Sequence, residues 1–328
     1  MVRLPVGHNP GRHCASTGIC NLVRHHGLGW TEAMCFGLGA GLGLYYFPAQ
    51  GLGASRMVHV RHADYESVFF RNIGHPFAWR TFSDPQASEA ALCDALDLGR
   101  PAILQTDIYY LPHFSSRTHF PGHLITAWGY DPGRQVFYVT DTERTEVIEV
   151  AFEDMRKARF CDGGIYLVEG NMYAPEAMEP PEDMSGAVLG AILGQSRDLL
   201  AGQGDIAGLP CLEKWRDELA DWKRFPDWAW TARFAYQVLE RRGTGGGGFR
   251  LMYADFLAEA AAILPGVAEL GLYAAMSVCA DAWRGLAAEL KEASEREEPD
   301  FSDVGRALDE VIRKERAYHE LALTLERI

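Results

Sequence analysis

A proline-rich, acidic segment divides this chain into two unlike halves, and this division constrains the fold more than any other feature. Residues 171–186 contain three prolines and four acidic side chains and show little periodicity. Such segments are typical of linkers. Because a chain of 328 residues is long enough for two domains, we predict one domain over 1–170 and another over 187–328, joined by a linker at 171–186.

The two halves differ in their secondary-structure patterns. In the first half, apolar spacing and helix-ending glycines predict helices over 14–27, 30–36, 88–98 and 152–158. Runs rich in β-branched and aromatic residues predict strands over 101–108, 123–130, 135–140 and 164–168. The second half is helical throughout, with helices predicted over 187–201, 211–224, 228–241, 249–264, 267–293 and 302–327. The pattern therefore favours an α+β domain followed by an all-α domain.

Charge and cysteine usage exclude several classes of protein. The net charge of −14 argues against a nucleic-acid partner, since binding to phosphate backbones relies on clustered basic side chains. The seven cysteines show no regular spacing, and the N-terminus lacks a secretory signal pattern. We therefore expect a cytoplasmic protein without disulfides.

One uncharged stretch, residues 33–55, raises the question of a membrane segment. Its glycines alternate with apolar residues from Gly37 to Leu44. This period of two leaves one face bare, which favours an extended segment packed against another backbone over a membrane-spanning helix. We expect no membrane association.

Ten of the eleven histidines lie before residue 124, so chemistry near neutral pH is expected in the first half. Cys14 follows the turn-prone run Gly7–Gly11 and opens a predicted helix. The free N–H groups and the dipole at a helix start lower the pKa of a thiol from about 8.5, which makes a nucleophile. Cys20 is the one rival nucleophile, and the other cysteines have no comparable setting.

His123 begins one predicted strand and Asp141 ends the next. If residues 131–133 form a three-residue hairpin loop, His123 lies directly opposite Asp141. The carboxylate would then accept a hydrogen bond from His123 Nδ1 and orient the ring as a base. A loop one residue shorter or longer would break this pairing. We expect no metal site, because neither His59 and His62 nor His113 and His119 belongs to a metal-binding motif.

Five separated blocks of the first half resemble one known family. They are 13–17 (HCAST) with Asn21 and Gly27, 98–101 (LGRP), 107–112 (DIYYLP), 122–131 (GHLITAWGYD) and 139–141 (VTD). They resemble the N-terminal domain of the butirosin biosynthesis protein H family over residues 8–169. The second half, particularly 242–250, resembles the helical domain of unknown role that follows it in this family.

The resemblance implies a papain-like fold and a cysteine-dependent acyltransferase, with Cys14 as nucleophile, His123 as base and Asp141 as its orienting partner. The acyl or aminoacyl donor would be a thioester of an acyl carrier protein or coenzyme A, linked through phosphopantetheine, and the acceptor an amine of a small molecule. No separate cofactor is implied. Antibiotic biosynthesis is the expected setting.

Other residues are predicted to support this site. The papain-like fold that the resemblance implies is related to that of the leader peptidases of bacteriocin exporters, which place a glutamine shortly before the cysteine as oxyanion donor. This chain has no glutamine before Gln50. We expect the Cys14 backbone N–H to act with Asn9 or His8 instead, and Asn21, two helical turns after Cys14, to give support. The predicted substrate-binding residues are Tyr109 and Tyr110 beside the site and Arg242, Thr244 and Arg250 around a glycine-rich run.

Two other functions remain open from the sequence. The same three residues could hydrolyse a peptide or amide rather than transfer an acyl group. Alternatively, the first domain could be a non-catalytic papain-like binding module, because such scaffolds serve hydrolysis, transfer and binding alike. The reactivity of Cys14 would separate a binding module from both enzymes.

Overall fold

The computed structural model of the protein describes residues 1–49, 53–163 and 166–328, which form two compact units. The first unit contains residues 1–35 and 74–180, and the second contains 36–73 and 181–328. The α-helices are α1 (Cys14–His25), α2 (Glu32–Leu38), α3 (Tyr65–Asn72), α4 (Pro85–Asp97), α5 (Phe152–Arg159), α6 (Met184–Ala201), α7 (Leu209–Glu218), α8 (Trp228–Glu240), α9 (Arg250–Ala260), α10 (Gly266–Glu269), α11 (Leu272–Glu295) and α12 (Ser302–Leu323).

The strands of the described ranges are short and antiparallel. They are β1 (Val2–Arg3), β2 (Leu42–Pro48), β3 (Arg56–Arg61), β4 (Ala102–Thr106), β5 (His123–Asp131), β6 (Val136–Thr140), β7 (Ile148–Ala151), β8 (Phe160–Gly163), β9 (Tyr166–Glu169) and β10 (Met172–Tyr173). The first two residues of the strand predicted over 164–168 lie outside the described residues. The helix predicted over 267–293 is two helices, α10 and α11, which separate at residues 270–271. The other predicted helices and strands are confirmed within a few residues at their ends, whereas α3, β1, β3, β7 and β8 were not predicted.

A six-stranded sheet forms the centre of the first unit, in the order β10-β4-β5-β6-β7, with β1 also paired to β5. Successive side chains of each strand point to opposite faces of the sheet, and both faces are apolar here. Leu104, Ile125 and Val139 pack in one core with residues of α4 and α5. On the other face α1 approaches β4 so closely that a Cβ on Gly18 would lie 3.1 Å from Ile103. The mixed α/β prediction for this half is confirmed.

The segment 36–73 belongs to the helical unit, in contrast to the prediction of a first domain spanning 1–170. Its hairpin of β2 and β3 pairs with the helical unit through backbone groups: Gly208 N–H donates to the Leu44 carbonyl at 2.8 Å, and Tyr46 N–H to Ile206 at 3.1 Å. The Tyr46 ring stacks on Trp215 at 5.8 Å. Local patterns gave no sign of this pairing, because its partners lie more than 150 residues away.

The predicted linker at 171–186 is in part regular structure. Met172 and Tyr173 form β10 and pair with Leu104 and Ile103 of β4, and α6 begins at Met184. Met172 is buried in the core of the first unit. The edge of a sheet accepts so short a strand without any periodic pattern in the sequence, which is why the prediction missed it.

The uncharged stretch contains a close backbone contact, as its alternating glycines predicted. A Cβ on Gly43 would lie 2.3 Å from the Arg61 carbonyl oxygen, so the β2–β3 pair requires glycine there. The extended conformation predicted from the alternating residues 37–44 is confirmed at 42–44, where β2 begins, and is wrong at 37–38, which end α2. Residues 50–52 of the uncharged stretch lie outside the described residues. Among the described helices, none combines the length and apolar character needed to cross a bilayer.

Candidate active site

Cys14 is the first residue of α1, and the turn before the helix fixes its position. His13 is the N-cap, with its Nδ1 accepting from the Ser16 amide at 3.3 Å. The helix is buried from Ala15 to Val23, whereas Cys14 is only half-buried. The thiol therefore lies at the positive end of a helix that is anchored in the core, where a thiolate is stabilised.

Glu32 holds the turn that precedes Cys14, and no sequence pattern indicated this. Its carboxylate accepts hydrogen bonds from four groups, namely the N–H of Arg12 (2.9 Å), the N–H of His13 (2.9 Å), the hydroxyl of Ser16 (2.8 Å) and the hydroxyl of Thr17 (3.0 Å). Gly11 makes room for this contact, because a Cβ there would lie 2.9 Å from the Glu32 carboxylate. Glu32 is thus a positioning residue for the start of α1.

His123 and Asp141 meet at the ends of their strands. His123 Nε2 lies 2.8 Å from Asp141 Oδ1, and both side chains are nearly buried. The prediction had assigned this bond to Nδ1. Because Nε2 contacts the carboxylate, Nδ1 is the ring nitrogen left for the Cys14 sulfur, which interacts with the same ring by a hydrogen bond.

The predicted strand register is wrong, although its consequence is right. Asp131 pairs with Val136, so the hairpin loop spans the four residues 132–135, one more than predicted. This change alone would put His123 and Asp141 on opposite faces. A bulge at Trp128 adds one residue to β5, which returns the two side chains to the same face of the sheet. The two side chains therefore share a face as diagonal rather than directly opposed neighbours.

The site is strongly charged for a half-buried location. Burial disfavours the charged form of His123, but the Asp141 carboxylate and then the Cys14 sulfur outweigh it and raise the pKa of His123 to about 10. Burial likewise acts against ionised Asp141, yet the charge on His123 and hydrogen bonds from His113 and His123 hold its pKa well below the usual range. An imidazolium between a carboxylate and a sulfur stabilises a thiolate, the nucleophilic form of cysteine.

A second histidine completes the surroundings of Asp141. His113 Nε2 lies 2.7 Å from Asp141 Oδ2, so each carboxylate oxygen contacts one imidazole. The next residue, Phe114, places its ring edge-on to His123 with 4.9 Å between centroids. In the sequence analysis, His113 is considered only as a metal ligand together with His119. Its role could not be read from spacing, because the loop before β5 has no periodicity.

The residues predicted as oxyanion donors make other contacts. His8 Nδ1 lies 3.2 Å from the Asn21 amide oxygen, and His8 Nε2 lies 2.9 Å from the Arg144 carbonyl oxygen. The Asn9 amide is placed to bond the His8 carbonyl and the Arg24 guanidinium. These contacts give no support to either residue as a donor beside Cys14.

Asn21 fixes α1 to the sheet. Its side-chain N–H group donates to the Thr126 hydroxyl at 2.9 Å and lies 3.4 Å from the Thr140 hydroxyl. Asn21 is nearly buried and bridges β5 and β6 on the face opposite the α4–α5 core. The predicted supporting role therefore takes the form of orienting the helix that carries Cys14.

The two predicted substrate-binding tyrosines differ in exposure. Tyr110 packs against the core of the first unit, whereas Tyr109 is 44% exposed. The Tyr109 ring stacks on His119 with 4.1 Å between centroids. Tyr109 therefore presents the larger surface to a ligand, and Tyr110 is partly buried.

The glycine-rich run at residues 243–248 and the neighbouring Arg250 make their polar contacts within the second unit. Gly247 N–H donates to Glu240 Oε1 at 2.9 Å, and Thr244 is buried with its hydroxyl on the Leu239 carbonyl. Arg250 is completely buried and binds Glu315 through two bonds, at 2.9 and 3.0 Å. The prediction that Thr244 and Arg250 bind substrate is wrong, because internal partners occupy both side chains.

Arg242 is the exposed member of that predicted group. Its guanidinium donates to Gln237 at 2.8 Å and lies 4.4 Å from the centre of the Phe234 ring. These partners lie on α8, the helix that precedes the glycine-rich run. No contact of Arg242 here decides whether it binds a ligand, so that prediction stands.

The Arg250–Glu315 pair gives a first testable prediction, for stability. Glu315→Gln removes the charge that compensates a buried guanidinium, and we expect it to lower the free energy of unfolding by about 3–5 kcal/mol. Urea unfolding followed by circular dichroism measures this change. The control is Glu310→Gln, on the same helix, whose exposed pair with Arg313 should contribute under about 1 kcal/mol. Equal losses in the two variants would contradict the prediction.

Comparison with protein-family models gives two matches that together span most of the chain. Residues 13–142 match the model described as "Butirosin biosynthesis protein H, N-terminal", and residues 153–322 match "Domain of unknown function (DUF4872)". The first match begins one residue before Cys14 and ends one residue after Asp141. A search of curated proteins found no significant match. The resemblance seen in the sequence is confirmed.

Proposed function

The chain belongs to the butirosin biosynthesis protein H-like family, which joins these two domains, and from this premise we propose that it is a cysteine-dependent acyltransferase. It moves an acyl or aminoacyl group from a thioester to an amine through an acyl-enzyme on Cys14. The observation that carries the proposal is the contact of His123 with both Asp141 and Cys14 at the start of a helix.

In the first half-reaction, the Cys14 thiolate attacks the thioester carbonyl. A new carbon–sulfur bond forms to Cys14, and the bond to the donor sulfur breaks. Because His123 starts as imidazolium, it can protonate the departing thiolate of the donor. The products are an acyl-enzyme, a free donor thiol and a neutral imidazole.

In the second half-reaction, an amine attacks the acyl-enzyme. Neutral His123 takes the proton released as the new amide bond forms, and Cys14 leaves as a thiolate. The site thus returns to the thiolate–imidazolium state from which it began. Asp141 keeps its charge throughout and stabilises the imidazolium at both ends of the cycle.

The arrangement also supports the papain-like fold that the resemblance implies. A helix with the nucleophile at its first residue packs on an antiparallel sheet that carries His123 and Asp141 at neighbouring strand ends. The donor is proposed to be a phosphopantetheine thioester of an acyl carrier protein or of coenzyme A. No other cofactor enters either half-reaction.

The test is to detect the acyl-enzyme directly. A panel of short acyl and aminoacyl thioesters of pantetheine is mixed with the protein, and peptide 13–24 is examined by mass spectrometry. We expect an acyl adduct on Cys14 that His123→Ala prevents. Because Cys20 lies in the same peptide and is buried, Cys20→Ser is the matched control and should retain the adduct.

Adding an amine acceptor distinguishes transfer from hydrolysis. Transfer requires the adduct to disappear faster with the amine than without it, with formation of the amide. Equal rates with and without amine would support a hydrolase on the same residues. No adduct from any donor, together with ordinary alkylation of Cys14, would contradict both enzymatic functions and favour a binding module.

A further inference from the structure

A second group of cysteine, histidine and aspartate lies in the first unit, away from Cys14 in the chain. It consists of Asp107, His119 and Cys161, whose donor atoms all lie within 4.8 Å of one another. From this geometry we infer that the three side chains form a binding site for a zinc ion. The site is independent of the proposed acyl transfer.

The fold brings these residues together from three places. Asp107 directly follows β4, His119 lies in the loop before β5, and Cys161 is in β8. His119 Nδ1 lies 2.6 Å from Asp107 Oδ2, and the Cys161 sulfur lies 3.1 Å from the same oxygen. One carboxylate oxygen is therefore the common centre of the group.

The carboxylate of Asp107 is held so that this oxygen faces the other two donors. Its second oxygen, Oδ1, accepts from the backbone N–H of Tyr109 at 3.0 Å and of Phe120 at 2.8 Å. The side chain is wholly buried, and a buried carboxylate requires compensation by hydrogen bonds or a cation. Oδ1 is thus fully used within the protein, and Oδ2 is the oxygen available to a metal.

The donor set fits zinc better than other common ions. Thiolate, imidazole and carboxylate are the three ligand types that zinc binds in proteins, whereas magnesium and calcium prefer oxygen alone. Tetrahedral zinc with bonds of about 2.0–2.3 Å keeps neighbouring donors about 3.3–3.6 Å apart. The contacts of His119 and Cys161 with Asp107 Oδ2 would need to lengthen by only roughly 0.5–1 Å to admit the ion.

Access and proton balance also fit. The His119 side chain is 48% exposed, so an ion and a fourth, water ligand can enter from solvent. On binding, the Cys161 thiol proton is released to solvent. His119 would bind the ion through Nδ1 and carry its ring proton on Nε2.

A zinc ion bound here would restrict the motion of the loop that begins at Asp107 and ends at His119, because both residues would be ligands. The same loop carries His113 and Phe114, which contact Asp141 and His123. A bound ion would therefore raise the stability of the first unit by mass action. It would do so without touching the reacting atoms.

The experiment is a zinc titration of the full-length protein, freed of metal, in competition with a chromophoric chelator. We expect one tight site in the wild type. Cys161→Ser and His119→Ala should each weaken it by more than the roughly 10–100-fold that loss of an outer-shell partner costs. Because His119 is half-exposed, its replacement leaves the core intact, and circular dichroism checks folding.

Two controls address the other thiols. Cys93→Ser replaces a half-buried thiol elsewhere in the first unit and should leave binding unchanged. Cys14→Ser removes the rival group formed with His123 and Asp141. Binding of cobalt as a probe should give a thiolate charge-transfer band that is absent in Cys161→Ser. No tight site, or a site lost in Cys14→Ser and kept in Cys161→Ser, would overturn the inference.

Discussion

Replacing Cys14 by alanine is expected to abolish acyl transfer, with a loss of roughly 10⁴-fold or more in turnover. The reason is that both half-reactions pass through the Cys14 sulfur. Losses of this order follow removal of a catalytic nucleophile in other enzymes. The measurement is amide formation from a pantetheine thioester and an amine, followed by mass spectrometry.

The fold should survive this change. Cys14 is half-buried and sits at the helix start, whereas the core contacts of α1 come from residues 15–23. Thermal unfolding of Cys14→Ala should therefore resemble that of the wild type. Cys93→Ser, a thiol of similar exposure outside the site, should retain full turnover. Transfer that persists in Cys14→Ala would disprove the proposed mechanism.

Asp141→Asn is expected to lower turnover by roughly 10²–10⁴-fold while keeping the shape of the side chain. Burial lowers the pKa of His123, but the negative charge of Asp141 outweighs this effect and is the main reason that the pKa rises to about 10. In the wild type the imidazolium is present below this value and is lost as pH rises through it. Without the charge, the pKa of His123 falls, and the imidazolium is lost at lower pH.

The pH dependence separates this electrostatic role from a structural one. We expect the alkaline limit of kcat/KM to lie near pH 10 in the wild type and to move toward neutral pH in Asp141→Asn. Iodoacetamide labelling of Cys14 should slow in the variant, because the thiolate loses its neighbouring cation. Asp131→Asn, at the other end of the same hairpin, is the matched control. An unchanged alkaline limit in Asp141→Asn would contradict the prediction.

The hairpin of β5 and β6 shows which features of the site could be predicted from the sequence and which could not. Residue types, strand positions and chain order pointed to His123 and Asp141 as partners, and the two are in contact. The predicted loop was one residue too short, and only a bulge at Trp128 returns the two side chains to one face. A bulge depends on packing around the buried indole, which no pattern of alternating residues contains.

Other parts of the site depend on contacts distant in sequence. Glu32 reaches back to the turn before Cys14, and His113 reaches forward to Asp141. The sequence predicts Arg250 as a ligand-binding cation, but in the structure it binds Glu315, which lies 65 residues away in the chain. A charged side chain in a sequence does not reveal whether an opposite charge will be buried beside it.

The sequence by itself determined the local elements of this protein: most helices, the three central strands β4, β5 and β6, the helical character of the second half, and a cysteine at a helix start. These depend on periodicity, capping and turn residues, which act over a few positions. Only the tertiary structure decided that residues 36–73 join the helical unit, that Asp141 contacts two histidines, and that Asp107, His119 and Cys161 converge. Those features arise from packing between segments far apart in the chain, where backbone pairing and burial override local preference.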